Sequence, residues 1–144
     1  MRGGNETDTG YLIKKINDKI RSNIDAEMKS CDLTLSQCRV LGFVERSGGK
    51  ATQKQIEDHL QVSHPTVVGL LSRLKENGFI ECRFDCEYGK NKVVILTEKA
   101  EAFSKQMKNS HKKSEEVLLS GFSEDEKAQL ERMLLLMWEN VQKA

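Results

Sequence analysis

Hydroxyl, imidazole and guanidinium groups crowd into one short stretch, Ser63-His64-Pro65-Thr66-Val67-Val68-Gly69-Leu70-Leu71-Ser72-Arg73. At helical spacing, His64, Thr66, Val68, Gly69 and Ser72 share the side opposite Val67, Leu70, Leu71 and Leu74, with Arg73 at its margin. Such a face can do recognition chemistry. The Ser63 and Thr66 hydroxyls and the free N–H groups of a helix's first turn suit phosphate oxygens. His64 can donate to a base acceptor or a phosphate, and Val68 can touch a thymine methyl. Gly69 permits close approach, while Arg73, Gln53 and Lys54 flank the face with backbone-binding groups. The alternative is an ordinary solvated helix face.

No catalytic constellation competes with this reading. His59, His64 and His111 are scattered, without a His-x-Glu pair, a nucleophile elbow or a phosphate loop. Cys82 and Cys86 lack a second ligand pair at zinc-finger spacing. The expectation is no enzyme, no cofactor and no bound metal.

The elements that must position the face are helices with clear start signals. Leu12, Ile13, Ile16, Ile20, Ile24 and Met28 recur at helical intervals and predict a long first helix from about Gly10 to Lys29. Thr34-Leu35-Ser36-Gln37 is a capping-box pattern, opening a helix to about Arg46 that buries Cys38, Leu41 and Val44; Ser47-Gly48-Gly49 stops it. The device repeats at Thr52-Gln53-Lys54-Gln55, ahead of Ile56 and Leu60. Ser63 is an N-cap, and Pro65 stands in the first turn, where a missing N–H costs little. Two helices so closely joined, the second polar outside, form a helix-turn-helix pattern.

Two β-prone runs follow, Phe79–Phe84 and Lys92–Leu96, flanking the polar turn Asp85-Cys86-Glu87-Tyr88-Gly89-Lys90-Asn91. A hairpin directly after the second helix is a wing, and its Arg83, Lys90 and Lys92 can reach a minor groove or its phosphates. Thr97 caps a fifth helix to about Leu119, and Ser123-Glu124-Asp125-Glu126 opens a last one through Val141. In that last helix Leu130, Met133, Leu134, Leu135, Leu136, Met137, Trp138 and Val141 cover more than one face. A helix apolar around most of its girth is covered on several sides. A second subunit is the favoured cover, the chain's own first helix the alternative.

Composition sets bounds. The 144 residues suit one domain with helical extensions; 38% are hydrophobic and 31% charged, as in folded proteins. The longest apolar run, Leu134 to Trp138, is too short for a membrane span, and the first residues lack a signal-peptide core, so a cytoplasmic location is expected. Net charge is only +1, and the segment Lys50–Leu96 holds seven Lys/Arg against six Asp/Glu. Nucleic-acid affinity must therefore come from local placement of cations and helix ends. Cys31, Cys38, Cys82 and Cys86 do not make a secreted disulfide framework, and two or more of them read as small apolar fillers.

The ordered blocks resemble the MarR family of bacterial regulators over nearly the whole chain. They are Leu33-Thr34-Leu35-Ser36-Gln37, Val62-Ser63-His64-Pro65-Thr66-Val67 and Leu70 through Ile80, then Asp85 and Leu96-Thr97-Glu98-Lys99. The resemblance implies a dimer with interlocked first, fifth and sixth helices above two winged lobes. It also implies repression relieved by a small lipophilic molecule, with thiol or metal sensing in some branches. Departures are the absent arginine at the wing tip, where Asp85 leads to Cys86, Glu87, Tyr88, Gly89 and Lys90, and Ala100 and Gly69 at positions where the family favours others.

The expected architecture is mainly α with a small β wing: a winged helix-turn-helix flanked by long N- and C-terminal dimerisation helices. Residues 1–33 form the first arm, 34–97 the DNA-binding lobe and 98–144 the second arm. Ile13, Ile16, Ile20, Leu130, Leu134, Met137, Trp138 and Val141 are the expected dimerisation residues. The expected partners are a pseudo-palindromic duplex operator, a second copy of the chain and a small lipophilic effector, but no membrane. The rival readings are a winged-helix protein-interaction module that no longer reads DNA, and a thiol- or metal-responsive regulator.

Overall fold

Hydroxyl side chains set the helix starts. In the computed structural model, which describes residues 7–84 and 91–144, Thr34, Thr52 and Ser123 each complete a capping box. Gln37 N donates to Thr34 Oγ1 at 3.3 Å while Thr34 N donates to Gln37 Oε1 at 2.9 Å. Thr52 with Gln55, and Ser123 with Glu126, repeat the exchange. Each box satisfies two backbone donors that a helix start otherwise leaves unpaired. The elements are α1 (Thr9–Ser30), α2 (Leu35–Arg46), β1 (Lys50–Thr52), α3 (Gln53–Leu60), α4 (His64–Glu76), β2 (Ile80–Phe84), β3 (Lys92–Leu96), α5 (Glu98–Leu118) and α6 (Glu124–Lys143).

The chain divides into two units, one up to Gln106 and one from Met107 to Ala144. The first holds the helix-turn-helix and an antiparallel sheet of order β1-β3-β2. Its core is Val40, Val44, Ala51, Ile56, Val67, Leu74, Phe79, Ile80, Val93 and Val94, all essentially sealed. The strand β1 is unexpected: its three residues pair with Ile95, Val94 and Val93, carrying the chain into α3 from the edge of the sheet. Ala51 and Thr52 are buried there.

Two core assignments are corrected. Cys38 is half-buried and Val40 takes the sealed place beside Leu41 and Val44; in α4, Leu70 is half-buried while Val67, Leu71 and Leu74 are sealed. Cys31 and Cys82 are half-buried too, so none of the three described cysteines is a sealed filler.

In the second unit, α6 has no buried residue. Leu134, Leu135, Leu136, Trp138 and Val141 are exposed, and Leu130 and Met137 are half-buried. Within α1, Ile13 and Ile16 are exposed and Ile20 half-buried. No helix among the described residues is long and apolar enough to cross a membrane.

Candidate nucleic-acid interface

The turn between α3 and α4 is made by Gln61 in the left-handed conformation (φ 53°), followed by Val62 and the N-cap Ser63. Gln61 N closes α3 onto the Glu57 carbonyl at 2.9 Å. The reversal lays α4 across α2 and α3 with Val67, Leu71 and Leu74 inward. The opposite face is thereby presented outward: His64, Thr66, Val68, Gly69, Ser72 and Arg73 are all exposed. The six recognition candidates of this helix thus come together on one surface.

The local chemistry differs from expectation in one respect. Ser63 Oγ accepts from Thr66 N at 3.4 Å and lies 2.8 Å from Thr66 Oγ1, so the two hydroxyls serve each other as part of the cap. Gly69 sits in open space, since a Cβ placed there meets nothing of the chain within 4 Å. Its missing side chain serves no internal packing.

Gln53 and Lys54 open α3 beside this surface, Gln53 half-buried and Lys54 exposed. Gln53 Nε2 stands 3.4 Å from both Glu57 Oε1 and His64 Nδ1, and Glu57 Oε1 hydrogen-bonds His64 Nδ1 directly. The Glu57 carboxyl is held below the usual carboxylate range, chiefly by the hydrogen bond with His64 and further by Gln53 and the Lys54 charge. Sequence inspection missed Glu57. It lies on another helix from His64, and only the turn geometry brings them together.

On the wing, Arg83 stands opposite Val93 and Lys92 opposite Phe84 in the β2–β3 ladder. Side chains alternate faces along a strand, so these two exposed cations point to opposite sides of the sheet. Phe84, 76% exposed, shares the face of Lys92 and was also missed. Lys90 and the turn residues Asp85 and Cys86 lie outside the described residues. Among the described residues no group of His, Cys, Asp and Glu is placed to hold a metal ion.

Comparison with known proteins agrees with this geometry. The MarR family model matches residues 32–85. The uncharacterized HTH-type transcriptional regulator YwoH of Bacillus subtilis is 34% identical over 120 residues, 81% of this chain and 86% of that one. The HTH-type transcriptional repressor IacR of Pseudomonas putida is 22% identical over 132 residues, 92% of this chain and 78% of its own. A Staphylococcus aureus MepR–DNA complex superimposes with a TM-score of 0.83 at 26% identity, covering 92% of this chain and 98% of that one. With its winged helix-turn-helix and this relatedness along most of its length, the chain belongs to the MarR family of HTH-type transcriptional regulators.

Proposed function

We propose that the protein is a cytoplasmic, non-enzymatic repressor that binds a pseudo-palindromic operator as a homodimer. The observation that carries this reading is the outward face of α4, where His64, Thr66, Val68, Gly69, Ser72 and Arg73 stand exposed on a helix whose other side is sealed. A capped helix start offers backbone N–H groups to phosphate, and side chains of its first turns reach base edges in the major groove. Gln53 and Lys54 at the α3 start, with Arg83, Lys90 and Lys92 of the wing, supply flanking contacts. The DNA-bound state of MepR supports the assignment.

Dimerisation is supported by the exposed apolar surfaces of α1 and α6, since contiguous exposed apolar area in a soluble chain marks an interface. Residues 1–33 and 98–144 then serve as the pairing arms and 34–97 as the reading lobe. A small lipophilic effector releases the DNA by favouring a different lobe arrangement. A cleft of ≈ 460 Å³ lined by Cys31, Phe79, Lys99, Ala102 and Phe103 has the size for one.

The test is selection of bound sequences from random duplex DNA by the purified protein. The expected product is a two-fold symmetric site with half-sites about 10 bp apart. A His64→Ala, Arg73→Ala double variant should lose sequence preference while keeping the native circular dichroism. Full specific affinity in that variant, or recovery of no sequence by the wild type at low salt, would overturn the reading.

A further inference from the structure

His64 is the first residue of α4, and its side chain is 67% exposed. It is therefore an early point of contact for anything the helix start meets. The two nitrogens of an imidazole have different duties, set by which one carries the proton. Here Nδ1 is engaged by Glu57 across the turn between α3 and α4. An ionised carboxylate only accepts, so the proton of this bond belongs to Nδ1. Nδ1 in that state cannot also accept from Gln53, whose amide instead donates to Glu57 Oε1 at 3.4 Å. The chain of bonds runs from the Gln53 amide to the Glu57 carboxylate, which also receives the His64 N–H.

We propose that Glu57 is a positioning residue for His64, holding the neutral ring in the Nδ1–H form so that Nε2 meets the duplex as a hydrogen-bond acceptor. His64 then selects a base that carries an amino group in the major groove, adenine through N6 or cytosine through N4. The inference rests on the DNA-binding reading above and reverses the donor role that an isolated histidine suggests. A bare acceptor is repelled by phosphate oxygens, by guanine N7 and O6 and by thymine O4. Neighbouring donors do not alter this nitrogen: Ser63 and Thr66 hydrogen-bond each other in the cap, and the backbone N–H groups of the first turn suit phosphate. The Glu57 carboxyl, lowered chiefly by its hydrogen bond with His64, stays ionised through neutral pH and so accepts from Nδ1 whenever the ring is neutral.

Two measurements on the full chain test this at about pH 8.5, above the ordinary imidazole range. The first reads the ring 15N shifts of His64 without DNA. The proton should lie on Nδ1 in the wild type and move to Nε2 in Glu57→Ala. The second is selection from random duplex DNA. The wild type should prefer adenine or cytosine at one position of each half-site. Glu57→Ala should turn that preference toward guanine or thymine, changing relative affinities by about 2- to 10-fold, the scale of one hydrogen bond. His64→Gln, whose amide oxygen reaches the place of Nε2, should keep the wild-type preference, and His64→Asn, which reaches only as far as Nδ1, should lose it. A wild-type ring protonated on Nε2 overturns the proposal, as does an unchanged base preference in Glu57→Ala. If the wild type selects no DNA at all, the operator-binding reading falls with it; if it selects normally and only the variants fail to differ, the proposal alone falls.

Discussion

Lys99 Nζ donates to the Asn77 carbonyl at 2.6 Å while lying 4.5 Å from the centre of the Phe79 ring. Asn77 is the C-cap of α4, whose last carbonyls have no intrahelical donor. The first turn of α5 thus supplies a cation where the helix end is electronegative. Thr97 reinforces the link by donating to the Gly78 carbonyl at 2.6 Å. Lys99→Met keeps the aliphatic stem and removes the charge and the bond. It should cost about 1 kcal/mol, read as a lower urea midpoint at unchanged slope.

Gly69 separates stability from recognition. A Cβ there meets no atom of the chain within 4 Å, and alanine favours the helix by about 0.5–1 kcal/mol over glycine. Gly69→Ala should therefore raise the thermal midpoint while weakening operator binding, because the methyl group stands between the helix and the groove. Equal or tighter binding would show that the duplex does not approach at this position.

Trp138 and Leu134 test the pairing surface. Both are exposed in α6, at 60% and 45%. In the proposed dimer they are covered, and large apolar anchors of this kind carry about 2–4 kcal/mol each. Leu134→Arg should convert the dimer to monomer in sedimentation velocity at micromolar concentration, with helix content retained. A dimer that persists in this variant places the interface elsewhere.

Burial pushes the Cys38 thiol up to about 11 from an ordinary 9.0, and the nearby Cys31 adds to the rise. The thiolate is the reactive form, so Cys38 in the folded chain should alkylate far more slowly at neutral pH than in urea. The sign for stability follows. The folded value exceeds the unfolded one, so this contribution is complete below 9.0 and is lost as pH rises toward 11. Cys38→Ser should flatten that alkaline decline.

Glu57 and Glu126 act on the acid side. His64 lowers the first and the Ser123 backbone and hydroxyl lower the second, both from an ordinary 4.5. Their folded values lie below the unfolded ones, so their stabilisation is present above 4.5 and lost as pH falls through the lowered values. Unfolding midpoints should drop through this window, and Glu57→Gln with Glu126→Gln should shrink the drop. Ser123→Ala should cost about 1 kcal/mol at neutral pH through the lost cap.

What could be read from the chain alone was whatever depends on near neighbours in sequence. A capping box is a contract between residues three apart, so Thr34–Gln37, Thr52–Gln55 and Ser123–Glu126 declare their helices without help from the rest of the fold. Hydrophobic period and a proline two residues after Ser63 likewise placed α4 and its outward face, and with them the family resemblance.

Only the tertiary structure decided what depends on distant partners. The three residues of β1 are too few to carry a strand pattern; they are a strand because β3 lies alongside with unpaired backbone groups. Whether Cys38 or Val40 is sealed depends on which side of α2 the sheet and α4 cover. The β2–β3 register, not the composition of the wing, sends Arg83 and Lys92 to opposite faces. Glu57 meets His64 because Gln61 turns the chain back on itself. Local hydrogen-bond geometry is written residue by residue, whereas a contact across a turn or a sheet exists only once the intervening chain has folded.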